Sequence, residues 1–425
     1  MNFEFLKDNY GIEKEIFDIV ENKSKNLRNV FETYEQIKEN NQIKIINSFM
    51  KNKLSQSDFS YSTGYGYGDS GRDKTEKIFA DIFKTEDALV RPIISSGTHA
   101  ISISLNALLK SGEKMLSISD HPYDTLLEVI GIKGNEYGNL ISRGIIYDSV
   151  SLIDNKFDFE AIKSKIENTK LVYIQRSTGY GLKRAITIRE IEEAVEYVKR
   201  INPNILVMVD NCYGEFTEDR EPTEVGVDIC AGSLIKNPGG GIALSGGYIV
   251  GSRKIVDMVS NILYAPGLGK ETGMTFDMTR STLQGLFFAP HVTHEALKSA
   301  ILFCEIYSDL GFEVYPKNKD PRSDIIQAIV FNDSKKSIAF VQGIQKAATV
   351  GAHVIPYPWD MPGYSDKVIM ASGGFVDGSS IELSADGPLR EPYVAYYQGG
   401  IVFEQAKLAC MITLQNMKDN NLLKL

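Results

Sequence analysis

Ile12, Ile16, Ile19, Val20, Leu27, Val30, Phe31, Tyr34 and Ile37 recur at helical spacing among charged residues, which predicts two amphipathic helices over the first fifty residues, an arm or cover. From about residue 89 to residue 252 the pattern changes. Short apolar runs at 89–94, 115–118, 171–174, 205–209, 227–233 and 242–250 are interleaved with helical periodicity at 100–109, 125–130 and 188–198. Continuous apolar strands alternating with helices predict a mainly parallel sheet with helices on both faces, an α/β domain. A long helix is expected over 290–307, and beyond residue 311 the strands become short and alternating, for example at 323–330 and 368–371, before a helix from about Phe403. The expected organisation is an N-terminal helical arm (1–60), a large α/β domain (61–295) and a smaller C-terminal α+β domain (296–425).

Composition narrows the classes. At 425 residues, with 43% apolar and 24% charged positions, the chain is long enough for several domains with a substantial core. The 46 basic and 55 acidic residues leave a net charge of −9 with no basic cluster to follow a phosphate backbone, so no nucleic-acid partner is expected. Cys212, Cys230, Cys304 and Cys410 form no CxxC pair, which argues against a zinc site or disulfide framework and suits buried thiols in a reducing cytoplasm. Residues 1–10 lack a basic segment followed by an apolar core, and no run nears the roughly 18 apolar residues of a membrane span, so a cytoplasmic protein without membrane insertion is expected.

The chemistry concentrates at turns that follow the expected strands, where open α/β sheets bind ligands. Asp210 closes one apolar run, and Ser233 and Lys236 follow another, leading into Asn237-Pro238-Gly239-Gly240-Gly241. A carboxylate and an amine so placed would serve pyridoxal 5'-phosphate (PLP), with Lys236 forming the Schiff base, Asp210 holding the pyridine nitrogen protonated and Ser233 meeting the phosphate. The three glycines would let backbone pass close to a bulky ligand. Each residue also has a plainer reading, since such a lysine is often a solvated turn residue and a strand-ending Asp a helix cap. Ser95-Ser96-Gly97-Thr98 opens a helix where backbone N–H groups can hold a phosphate, and Tyr123 offers a stacking face. Between Asp58 and Asp73 a Gly/Tyr-rich loop carries Tyr65, Tyr67 and Arg72, which suit an anionic ligand better than a spacer would. Gln175-Arg176-Ser177-Thr178-Gly179-Tyr180 follows a third strand. In the last domain Arg390 follows a strand and an expected Gly387-Pro388 turn, where it could bind a carboxylate bidentately or form an ordinary surface ion pair. His291 and His294 lie three apart without a third ligand, so exposed residues at a helix start are expected rather than a metal site.

Together these segments carry a resemblance. Gly97, Tyr123, Asp210 and Ser233 with Lys236, set within Gly-Tyr-Gly-Tyr-Gly-Asp, Ser-Gly-Thr-His-Ala, Val-Asp-Asn-Cys-Tyr-Gly-Glu-Phe and Ser-Ala-Asp-Gly-Pro-Leu-Arg, resemble fold-type I PLP enzymes of the transsulfuration group. The match is to cystathionine β-lyase and methionine γ-lyase, and most nearly to their bacterial branch called aluminium resistance proteins. It runs from Tyr65 to Gly400. The resemblance implies an aspartate aminotransferase-like fold. It also implies that Lys236 is the covalent lysine and proton shuttle, Asp210 the pyridinium partner and Tyr123 the ring-stacking residue. Ser96, Gly97, Thr98 and Ser233 would be phosphate contacts. Tyr65 and Tyr67 would reach the neighbouring subunit's phosphate, making a dimer the minimum active unit within a homotetramer. Two departures stand out. Glu382-Leu383-Ser384 occupies the place of the Arg-Leu-Ser that binds the substrate carboxylate in that group, leaving Arg390 first and Arg176 second as candidates, and Arg176 could instead contact the cofactor. Ile235 replaces the usual threonine before the lysine.

The expectation is therefore a carbon–sulfur lyase acting on a sulfur-containing amino acid, by β- or γ-elimination. Other PLP reactions on amino acids, by an aminotransferase, aldolase or racemase, stay open because fold does not fix function. A non-catalytic metal-stress protein is suggested by the aluminium-resistance label alone.

Overall fold

A computed structural model describes residues 1–134 and 137–425. Seven strands form the main sheet: β1 (Asp87–Arg91), β2 (Lys114–Ser117), β3 (Ile146–Ser149), β4 (Thr169–Gln175), β5 (Leu206–Asp210), β6 (Ile229–Ser233) and β7 (Gly247–Gly251). Their spatial order is β1-β7-β6-β5-β4-β2-β3, parallel throughout except for β7, which runs antiparallel to both neighbours. The continuous apolar runs have a direct cause. Val90, Leu116, Val172, Val207 and Val250 face one core, with helices Ser70–Ile82 and Ile188–Ile201. Leu89, Met115, Leu171, Met208 and Ile249 face the opposite core, with helices Gly97–Leu108 and Arg253–Leu263. A sheet covered on both faces needs apolar side chains at both parities of each strand. This is the α/β architecture expected, with the carboxyl ends of β1, β2, β4, β5 and β6 on one edge.

A second sheet, antiparallel in every pairing, is ordered β10-β11-β12-β9-β8 and comprises β8 (Glu313–Tyr315), β9 (Ile326–Val330), β10 (Val368–Ser372), β11 (Ser384–Pro388) and β12 (Val394–Gln398). Helices Ser334–Lys346 and Phe403–Asp419 pack on it in a separate core.

Several expectations are corrected. The first fifty residues form three helices, Phe3–Tyr10, Lys14–Asn26 and Arg28–Lys51, because Gly11 takes a left-handed conformation (φ 68°) that closes the first before the periodic stretch begins. The long helix spans Thr279–Asp309 with Pro290 in its interior. Its first turns, through Leu283, Leu286 and Ala289, join the main core, while Ile301, Phe303 and Tyr307 join the second, so packing overrides the proline signal. The strand expected at 242–250 begins only at Gly247, and Gly387 and Pro388 belong to β11 instead of a turn. His291 is exposed, whereas His294 is buried with its Nε2 3.3 Å from Glu35, and burial pushes it down to about 4. All four cysteines are buried free thiols. Among the described residues no helix is long and apolar enough to cross a membrane.

Candidate active site

At the carboxyl edge of the main sheet, where the second sheet leans over it, lies a cavity of about 310 Å³. Ser96, Gly97, Thr98, Tyr123, Asp210, Ser233 and Lys236 all line it, although they come from segments up to 140 residues apart in sequence. The topology explains the convergence. Parallel strands end on one side of the sheet, so the turns after β1, β2, β5 and β6 meet there.

Ser96 caps the helix Gly97–Leu108, its Oγ accepting from His99 N at 3.0 Å, and the free N–H groups of that first turn face the cavity edge. Gly97 is there because nothing larger fits: a Cβ would lie 2.8 Å from Cys212 Sγ and 4.0 Å from Lys236 Nζ. Ser233 Oγ is buried without a hydrogen-bond partner, an unmet donor beside that helix end. Thr98 Oγ1 and the Tyr123 hydroxyl lie 2.9 Å apart, and Tyr123 N donates to Gln175 Oε1 at 2.9 Å. Burial raises Tyr123 well above the ordinary phenol range, so it stays neutral.

Asp210 accepts from Cys212 N at 3.1 Å and from the Tyr173 hydroxyl at 3.3 Å. Burial raises its carboxyl; the Lys236 charge and those hydrogen bonds pull it back. For Lys236, burial works against the ammonium, but Cys212, Tyr213 and Asp210 outweigh it and hold the amine above its ordinary value. Nζ sits 3.8 Å from the Tyr213 ring centroid, a cation–π contact. Among the described residues that line the cavity, Lys236 is the only cation. An amine, a strand-end carboxylate, a helix N-terminus and an unsatisfied hydroxyl make a donor set that fits PLP: Lys236 for the aldehyde, Asp210 for the ring nitrogen, and Ser96, Gly97, Thr98 and Ser233 for the phosphate.

The remaining sequence candidates lie elsewhere. Arg176 does not line the cavity. Its guanidinium is fully buried and spent on Asn211 (2.8 Å), Thr217 (3.3 Å), Glu218 (3.0 Å) and Glu221 (3.8 Å). Arg390 lines an adjoining cleft that shares Tyr123, Gln175 and Tyr180 with the cavity, and it pairs with Asp366 at 3.0 Å. Glu382 faces neither ligand nor solvent, for its carboxylate accepts from Phe375 N (2.8 Å) and Val376 N (2.9 Å) and staples that loop. Tyr65 and Tyr67 stand out in solvent, 73% and 80% exposed. Arg72 is not free for an anion, because it donates to Gly64 O, Gly66 O and Glu271 O and so shapes the loop that carries them. The glycine turn also has another partner. A Cβ on Gly240 would strike Gly285 O, and one on Gly285 would strike Gly239 O, so these glycines admit the helix Thr279–Asp309 at backbone contact; none of the three lines the cavity.

The turn after β4 expected at this edge brings Gln175 and Tyr180 to the cavity, whereas sequence reasoning missed Tyr213, Asp386 and Gln398, which also line it. Tyr213 takes a left-handed backbone (φ 72°), a conformation costing roughly 1–2 kcal/mol for a non-glycine residue. Asn237 Nδ2 holds it there by donating to Tyr213 O (2.9 Å) and Glu215 O (3.0 Å). Asp386 carried one usable signal: Ser384 and Asp386 alternate with Ala385, placing two polar groups on one strand face.

A family model described as methionine gamma-lyase matches residues 16–418. The crystal structure of a carbon-sulfur lyase involved in aluminum resistance from Clostridium novyi NT superposes with a TM-score of 0.93 at 47% identity, covering 97% of this chain and 98% of that one. Protein YnbB of Bacillus subtilis is 48% identical over 392 residues, 92% of this chain and 93% of its own. The pyridoxal-5'-phosphate-dependent protein YhfS of Escherichia coli, only 16% identical, shares the fold at a TM-score of 0.62 over 91% of this chain and 97% of that one.

Proposed function

The chain belongs to the methionine gamma-lyase family, and from that premise we propose that it is a PLP-dependent carbon–sulfur lyase that eliminates a thiol from a sulfur-containing amino acid. The observation that carries the reading is Lys236. Its amine is the sole cation among the described cavity-lining residues and stands between the Gly97 turn, Asp210 and the Tyr213 ring.

When bound, PLP supplies an electron sink for the pair left on Cα. This chain's residues do the rest. Lys236 would hold the cofactor through its amine and would carry the Cα proton on Nζ. Asp210, at the end of β5 and buried beside Lys236, would face the ring nitrogen and favour its protonated form. Tyr123, neutral and tied to Thr98, would offer its ring face to the cofactor. The second sheet lines the other side of the cavity with Tyr396, Gln398 and Asp386. The active unit we propose is at least a homodimer, with Tyr65 and Tyr67 of one subunit completing the site of the other.

Borohydride reduction followed by peptide mapping tests the central assignment, with the pyridoxyl label expected on Lys236. Incubation with a panel of sulfur amino acids should release thiol and a 2-oxo acid without added keto-acid acceptor. A label on another lysine, or product formation that requires an acceptor, refutes the lyase reading.

A further inference from the structure

Tyr213 meets the reacting amine with the face of its ring, Lys236 Nζ standing 3.8 Å from the centroid. It does so from a left-handed backbone, a conformation that a bulky residue keeps only where its surroundings enforce it and one that gathers at active sites. The enforcement comes from the neighbour of Lys236. Asn237 Nδ2 donates to Tyr213 O at 2.9 Å and to Glu215 O at 3.0 Å, so the turn after β6 fastens the turn after β5. One latch thus fixes both the lysine and the ring it rests on.

The side chain is also gripped from two sides. It packs against the small core that includes Val292 and Ile325 and against another that includes Ile326 and Tyr396. These contacts immobilise the ring, and its meeting with Nζ has an electrostatic meaning of its own. Asp210 acts on the amine through its charge, whereas the ring meets it in contact. Burial raises the Tyr213 phenol, so the ring is neutral and acts through its π face. Such a face attracts an ammonium through its quadrupole and offers a neutral amine no comparable pull.

We propose that Tyr213 is a positioning residue for Lys236, its ring face receiving the amine whenever that amine is free of the cofactor and favouring the ammonium, so that a proton taken from the substrate stays on Nζ until it is passed on. The proton moves from Cα to Nζ, where a neutral amine becomes an ammonium, and later from Nζ to the departing sulfur, which restores the amine. The source and destination of the proton rest on the lyase reading; the hold on Nζ does not. Asn237 enters as the group that keeps the ring in place, which gives the residue after the lysine a part in setting the lysine's charge.

Cofactor-free protein gives the test. The Lys236 amine is titrated through the pH profile of its labelling by acetic anhydride, read by peptide mapping beside exposed Lys110, because a titration midpoint reports the charge on Nζ and not its accessibility. Tyr213→Leu should lower the Lys236 midpoint by at least about 0.5 pH unit and leave that of Lys110 unchanged, whereas Tyr213→Phe, which keeps the ring, should stay within about 0.2 unit of the wild type. Asn237→Ala loosens the ring while keeping Tyr213 and should shift the midpoint the same way, which covers a Tyr213→Leu protein that does not fold. On PLP-loaded enzyme Tyr213→Leu should lower kcat for thiol release about tenfold with KM within about threefold, and Tyr213→Phe should recover at least about a third of kcat. A midpoint unchanged or raised without the ring overturns the proposal, and so does an equal fall in Tyr213→Phe or full kcat in Tyr213→Leu. The lyase reading fails separately: the expected midpoint shift with no thiol released by the wild type leaves the hold on Nζ standing and removes the reaction. Thiol release by the wild type with no midpoint shift in the variants removes the role of Tyr213 and leaves the reaction.

Discussion

Glu215 allows a quantitative test of how the strand-end region is built. It is fully buried, its Oε1 accepts from the Tyr248 hydroxyl at 2.9 Å, and its Oε2 has no partner. Burial, reinforced by the nearby charge of Glu221, raises its carboxyl from 4.5 to about 8, against smaller opposing contributions from hydrogen bonding and Lys236. The sign follows from proton counting. Between about pH 4.5 and pH 8 the folded protein keeps a proton that the unfolded chain has released, so stability falls as pH rises through that window and the full cost stands above it. A displacement of that size corresponds to on the order of 4–5 kcal/mol. Glu215→Gln keeps the shape and the contact with Tyr248 but removes the ionisable group. Urea denaturation of cofactor-free protein at pH 5 and pH 9 reads the difference. The variant should match the wild type to within about 1 kcal/mol at pH 5 and exceed it by about 3–5 kcal/mol at pH 9. A gap that is the same at both pH values, or a variant less stable at pH 9, would refute the assignment of the cost to a buried, poorly compensated carboxylate.

Arg176→Leu should destabilise by about 3–5 kcal/mol, read as a fall in urea midpoint, because it strands the fully buried Glu221 beside Asn211; Arg390→Leu, losing one half-exposed ion pair with Asp366, should cost about 1 kcal/mol or less. Equal losses in the two variants would contradict the interior placement of Arg176. Mixing Tyr65→Phe, Tyr67→Phe protein with Lys236→Ala protein should restore part of the lyase activity through hybrid assemblies in which one site carries neither lesion. No recovery after verified subunit exchange would place these tyrosines outside a shared site.

What the sequence determined by itself was the part written in short-range patterns. Strand-by-strand apolar runs announced a sheet covered on both faces. The cap at Ser96, the strand-ending Asp210 and the Ser233 to Lys236 spacing each sit within a few residues of the element that positions them, and strand direction carries such turns to one edge. The cavity that gathers Gly97, Tyr123, Asp210, Ser233 and Lys236 was therefore legible before any fold was drawn. The tertiary structure decided whatever depends on a partner distant in the chain. Arg176 looked available until Glu218 and Glu221 were seen to claim it, and Arg72 until it was seen to bond the carbonyls of its own loop. Gly240 looked like room for a ligand until Gly285 of a helix some forty-five residues on was found against it. Asp386 and Gln398 enter the site only because the second sheet brings β11 and β12 to the cavity at the edge of the first, and no local pattern encodes that approach. The physical reason is that capping, periodicity and turn chemistry act over one or two turns of chain, whereas a buried charge or a backbone contact is satisfied by whichever distant group the packing delivers.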